Sequence, residues 1–250
     1  HLTFHRDRFP LPCAVVMATG ADRRIVFAIP RHEMIIVGTT DTDFKGDPSE
    51  VCSSKEDVEY VLRVVSDYFP GAQLSEADIV ASYAGVRPLV DDGSQTESGT
   101  SREHIIISDP RNITFVAGGK YTTYRHMSEQ AVEAVLDFFS IEDQVRFHNS
   151  QTKKALNPQV TSQSFADSLH NIDDWAKEFS LPGTEVQELV ERFGPEAYSI
   201  LRKKSKKQST RWLLEAEHAL QNTMCLNLAD FFLRQTPIFL SLPALSFIPL

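Results

Sequence analysis

Residues 118–125 read Gly-Gly-Lys-Tyr-Thr-Thr-Tyr-Arg. They stand between an apolar strand-like run, Ile113-Thr114-Phe115-Val116-Ala117, and a helix-like run from about Thr123 to Phe139. A strand that ends in two glycines and feeds a helix has few geometries open to it. Without a Cβ the backbone turns freely and can approach a ligand closely. The helix start then offers unpaired N–H groups and a partial positive charge, and Lys120 adds a full charge beside them. Such a junction suits a phosphate or the electron-rich edge of a flavin. Taken alone, Gly-Gly-Lys is better explained as a plain turn and helix start.

The rest of the chain sets the fold class. Residues 14–17, 24–29 and 34–37 are short β-branched runs bounded by turn residues, with Pro30-Arg31-His32-Glu33 as a hairpin connection. They read as an antiparallel sheet. Residues 53–69 read as a helix capped by Ser54 and stopped by Pro70-Gly71, with Val58, Val61, Leu62, Val65 and Phe69 on one face against that sheet. Residues 79–83, 105–107 and 113–116 supply further strands, and Asp91–Thr100 reads as a polar loop. Ser140–Thr161 reads as a linker, and helical patterns follow at 164–179, 183–193, 195–201, 210–221 and 226–234. The expected class is α+β: a mixed or antiparallel sheet domain over 1–140, then a small all-helical domain over 141–250.

Charge and composition exclude several functions. A net charge of −9 argues against a nucleic-acid partner, whose phosphates would need many Lys and Arg contacts. The three cysteines share no metal spacing and read as reduced thiols, and the eight histidines form no ligand pair, so no metal site is expected. No apolar run reaches the roughly 18 residues of a spanning helix. The apolar run 236–250 carries three prolines and reads as a loop or helix lacking a partner. The basic run 202–207 reads as a solvated loop.

Three further motifs precede the glycine pair: Ile36-Val37-Gly38-Thr39-Thr40-Asp41, Tyr83-Ala84-Gly85-Val86-Arg87-Pro88-Leu89 and Thr100-Ser101-Arg102-Glu103-His104. In this order, with the Gly-Gly-Lys segment last, the chain resembles the C-terminal half of FAD-dependent glycerol-3-phosphate dehydrogenases over about residues 1–140, and less closely near Leu226–Thr236. The resemblance implies a substrate-binding sheet domain with a returning FAD-contact segment at 113–139. It also implies FAD as cofactor, oxidation of sn-glycerol 3-phosphate to dihydroxyacetone phosphate, and a quinone as electron acceptor. The whole protein is then expected to be cytoplasmic and peripheral to the membrane, and a homodimer is compatible with it. Proteins of this type also carry a Gly-x-Gly-x-x-Gly unit for the ADP half of FAD, which this sequence lacks. With no initiator methionine before His1, the chain is expected to be a fragment that does not hold FAD tightly and purifies colourless.

The resemblance assigns roles residue by residue. Lys120 stands beside the flavin and reaches the substrate; its plain alternative is a surface lysine at a helix start, although a cation there opposes the helix dipole. Arg87, directed by Pro88, contacts the substrate near the reacting hydroxyl. Arg102 is a second phosphate contact, or a surface arginine beside Glu103. His1 is the candidate general base, or a frayed terminus. Gly118, Gly119, Lys120, Tyr121, Thr122 and Thr123 are the cofactor contacts. Thr39, Thr40 and Asp41 are residues near the site or merely a polar turn. Gln235 stands where the family usually carries a second consecutive arginine. Three other functions stay open: an oxidase passing electrons to oxygen, a non-catalytic binding module derived from such an enzyme, and an amine-oxidising flavoprotein, which paired arginines suit less well.

Overall fold

Between Ile25 and Arg31 the side chains alternate: Val26 and Ala28 are buried while Ile25, Phe27 and Ile29 face outward. That period of two belongs to a strand in a sheet with one covered face. The computed structural model describes residues 1–20, 24–87, 89–90, 101–147, 157–158, 160–204 and 210–241. Within it, β1 (Leu2–His5), β2 (Val15–Ala18), β3 (Ile25–Arg31), β4 (Met34–Gly38) and β5 (Ile79–Ser82) form one antiparallel sheet ordered β2-β3-β4-β1-β5. His32 and Glu33 close the β3–β4 hairpin, with His32 at φ +53°. β1 lies inside the sheet, Leu2 pairing with Val37 on one side and Ser82 on the other. Its Thr3 is fully buried, and the hydroxyl donates to the Leu240 carbonyl at 2.9 Å and accepts from the Ala81 N–H at 2.9 Å.

Helix α1 (Lys55–Tyr68) starts where Ser54 and Asp57 cap each other's backbone N–H groups. Its Val61, Val64 and Val65 are buried with Leu2, Phe4, Val26 and Val37 of the sheet. Full burial of such side chains favours folding by about 1.5–3 kcal/mol each before entropy is charged.

A second, two-stranded sheet is formed by β6 (His104–Asp109) and β7 (Ile113–Gly118). Helix α2 (Tyr124–Leu136) packs on this hairpin, and His104 and Gln130 share a hydrogen bond of 2.6 Å. α2 has no buried residue of its own. The stretch expected to be a linker from residue 140 instead begins with α3 (Ile141–Phe147), because the Ser140 hydroxyl caps the Asp143 N–H at 3.2 Å.

The chain divides into two compact units, one formed by His1–Asn149 with Pro237–Leu250 and the other by Ser150–Thr236. The first unit thus includes α3, which packs on α2, and the turn Ile238–Ser241, which packs on β1 and β5. The second unit is helical throughout its described residues: α4 (Ser162–His170), α5 (Ile172–Phe179), α6 (Gly183–Phe193), α7 (Ala197–Leu201), α8 (Arg211–Asn222) and α9 (Leu228–Asp230), which runs on as a π-helical turn over Phe231–Gln235. The helix expected over 164–179 is two helices. Asn171 breaks it, its side-chain amide donating to the Asp167 carbonyl at 2.8 Å. Leu181, Val186, Leu189, Val190, Ile200, Leu201 and Leu214 make this unit's core. The fold class is therefore α+β, with antiparallel sheets ahead of a helical region. The expected loop 91–100, Pro88, much of the basic run and residues 242–250 lie outside the described residues.

Candidate functional site

Arg87 follows β5, and Asp41 follows β4, two strands inward with β1 between them. The loops leaving these strands bring the two side chains together. Arg87 Nη1 donates to Asp41 Oδ2 at 2.8 Å, and Arg102 Nη2 donates to the same oxygen at 2.8 Å. Next to Arg102, Glu103 meets Lys120, with Nζ to Oε1 at 3.6 Å. Arg87 and Arg102 thus share Asp41, and Lys120 pairs separately with Glu103, the residue that follows Arg102 in sequence. All five side chains keep substantial contact with solvent. Ion pairs of that kind are worth about 0–1 kcal/mol each, so an incoming anion can exchange with them.

Lys120 owes its position to the glycines. Gly118 and Gly119 adopt φ +72° and +86°, both in the left-handed region. A Cβ on Gly118 would fall 2.9 Å from the Glu103 carbonyl oxygen, and one on Gly119 would fall 2.6 Å from the end of Met127. The pair turns the chain out of β7 into a single 3-10 turn, Tyr121–Thr123, and then into α2. Neither N-cap position, Lys120 or Thr123, carries a side-chain cap; the Thr123 hydroxyl instead donates to the Lys120 carbonyl at 3.0 Å. Tyr121 is 91% exposed, and Thr122 and Thr123 are exposed beside it. An exposed turn without a side-chain cap, with an adjacent ammonium, fits an electron-rich ring edge. The residues present at this junction therefore fit FAD.

His1 is not frayed. Its neighbour Leu2 is paired on both sides, so the terminus is held. The amine donates to the Tyr83 carbonyl at 2.8 Å, and the imidazole stacks on the Tyr83 ring with centroids 4.8 Å apart and planes 4° from parallel. Gly38 leaves room for the imidazole, since a Cβ there would lie 2.6 Å from His1 Cδ2. Burial pushes the Tyr83 phenol above its usual value.

His1, Thr39, Asp41, Tyr83 and Arg87 line one cavity of about 1100 Å³, with Tyr60 and Arg63 of α1 also in its wall. Arg102 is not among its lining residues but reaches it through Asp41, whereas neither Lys120 nor its partner Glu103 lines it. Sequence reasoning placed Asp41 near the site or in a polar turn without giving it partners, and left Glu103 and Tyr83 without a role. The signal for Asp41 was its place directly after a buried strand and two threonines, a pattern that a polar turn shares. Among the described residues no group of His, Cys, Asp and Glu is arranged as metal ligands, and no helix is long and apolar enough to cross a membrane.

Comparison with known proteins gives a consistent result. Residues 1–125 match the family described as DAO, FAD dependent oxidoreductase. The chain is 33% identical over 254 residues to an aerobic glycerol-3-phosphate dehydrogenase of Bacillus subtilis, covering 94% of this chain and 44% of the relative. It is 28% identical over 245 residues to the protein of that name from Staphylococcus saprophyticus, with the same coverage. It also superimposes on the X-ray structure of a glycerol-3-phosphate dehydrogenase from Bacillus halodurans complexed with FAD. The TM-score is 0.74 at 26% identity, over 94% of this chain and 46% of that one. The chain spans under half the length of these relatives.

Proposed function

The chain belongs to the FAD dependent oxidoreductase family, and from that premise we propose that it supplies the substrate face and part of the flavin site of an enzyme oxidising sn-glycerol 3-phosphate to dihydroxyacetone phosphate. One observation carries this reading: Arg87 and Arg102, far apart in sequence, meet at Asp41 on the wall of a cavity, and the residue after Arg102, Glu103, pairs with Lys120 at a helix start without a side-chain cap. The names of the relatives support the substrate.

Arg87 and Arg102 present guanidinium forks that hold a phosphate by charge-assisted hydrogen bonds. The ammonium of Lys120 would stabilise negative charge on a bound flavin. His1, held flat against Tyr83, takes the proton of the reacting hydroxyl. Gly118, Gly119, Tyr121, Thr122 and Thr123 would hold the ring edge together with Lys120. When bound, FAD supplies the hydride acceptor. In this reading the electrons pass to a membrane quinone from the cytoplasmic face; an oxygen electrode distinguishes this from transfer to oxygen.

The test is anaerobic addition of sn-glycerol 3-phosphate to the FAD-loaded holoenzyme. The reading expects the flavin absorbance to bleach with this substrate and to stay unchanged with glycerol or a primary amine. Bleaching by the amine alone would place the enzyme in another branch of the family.

A further inference from the structure

Asp41 gives both of its arginine partners the same oxygen, Oδ2, at 2.8 Å from each. A single carboxylate therefore occupies both guanidiniums, the groups that would hold an anionic ligand by charge-assisted hydrogen bonds. Asp41 sits in a loop after β4 and lines the cavity with Arg87. We propose that Asp41 is an internal stand-in for the substrate phosphate, a specificity-determining residue that a dianion must displace before Arg87 and Arg102 can bind it. The proposal rests on the reading of these arginines as the phosphate site.

The selectivity follows from charge. With Asp41 seated, the two arginines and one carboxylate carry a net charge of about +1, and both guanidiniums have an acceptor. A neutral polyol gains no ion pair by entering and leaves both Arg–Asp pairs intact. A monoanion replaces one acceptor by an equivalent one and gains little. A phosphate dianion brings twice the charge and three oxygens, enough to serve both forks at once. The displaced carboxylate is already partly exposed, so it returns to water at small cost. Asp41 thereby lowers the affinity for every anion and penalises monoanions most in relative terms.

The experiment is calorimetric titration of the full chain at low ionic strength with inorganic phosphate, sn-glycerol 3-phosphate and acetate. It compares the native chain with Asp41→Asn, Asp41→Glu and Arg102→Gln. Asp41→Asn should bind both phosphates on the order of fivefold to tenfold more tightly, as expected when two part-exposed ion pairs no longer compete. It should also acquire measurable acetate binding, whereas Asp41→Glu keeps the native affinities. Tighter binding separates this role from a bracing one, because loss of a brace would loosen the site. Unchanged or weaker phosphate binding by Asp41→Asn, with binding still lost in Arg102→Gln, would overturn the stand-in role and leave the phosphate site standing. Absence of phosphate binding in the native chain and in Asp41→Asn alike would remove the phosphate site itself, and the proposal with it.

Discussion

Gly118→Ala is the perturbation that most directly probes how the Lys120 turn is built. At φ +72° an alanine pays the left-handed penalty of about 1–2 kcal/mol. Its Cβ would also lie 2.9 Å from the Glu103 carbonyl oxygen. That oxygen cannot swing aside, because the adjoining His104 is paired with Gly118 in the β6–β7 ladder. Relieving the overlap means shifting backbone, which costs roughly another 1–2 kcal/mol. Gly119→Ala meets the tip of Met127 at 2.6 Å, a flexible thioether that can rotate away, and His104 Cβ at 3.1 Å, which needs a shift of only a few tenths of an ångström, so the conformational penalty of about 1–2 kcal/mol is the larger part of its cost. Amide hydrogen exchange over residues 104–118 reads the difference. Gly118→Ala should accelerate exchange there by roughly a hundredfold and Gly119→Ala by about tenfold, on the scale of 1.4 kcal/mol per decade. Equal effects, or a larger effect for Gly119→Ala, would refute the argument that backbone contact at Gly118 fixes this turn.

Two other perturbations act elsewhere. Glu215 is 2% exposed and is bonded by Arg192 and Arg211; burial pushes its carboxyl up while both guanidiniums pull it down. Glu215→Gln should cost the helical unit about 3 kcal/mol, read by urea unfolding through Trp212, on which Arg211 stacks at 3.9 Å; a cost under about 0.5 kcal/mol would mean that the network is idle. The Asp78 carboxyl is held below its ordinary value first by the Ser75 N–H, then by the Ser75 hydroxyl and Arg8. A depressed folded pKa means stability that is full above the usual carboxylate range of about 4 and is lost as pH falls through the folded value. Asp78→Asn should therefore melt earlier than the native chain at neutral pH, with the gap closing in acid, and a gap independent of pH would contradict this assignment.

Much of the fold was legible because local signals were strong. The Ser54 cap, the Val61 and Val65 stripe and the Pro70-Gly71 stop locate α1 within a residue or two. β1 was not legible from pattern. It is four residues long, buried on both faces, and carries a threonine whose hydroxyl is satisfied only by Ala81 and Leu240, both distant in sequence. The break at Asn171 and the helix after Ser140 depend on single side-chain bonds that periodicity does not register. The positive residues of the site could be read one at a time. Their mutual geometry could not, because Asp41 and Glu103 join segments separated by tens of residues, and an isolated acid beside a turn looks the same whether it meets solvent or two arginines.

The central claim is that Arg87 and Arg102 together grip the phosphate of the substrate. Its most direct measurement is kcat/KM of the holoenzyme for sn-glycerol 3-phosphate and for glycerol, with Arg87→Ala and Arg102→Ala compared with the native protein. The account predicts a loss of roughly tenfold to hundredfold for the phosphorylated substrate in each variant, the worth of a charged hydrogen bond of about 1.5–3 kcal/mol. For Arg102→Ala it predicts little change with glycerol. A loss from Arg102→Ala that is equal for the two substrates, or no loss for either, would contradict it.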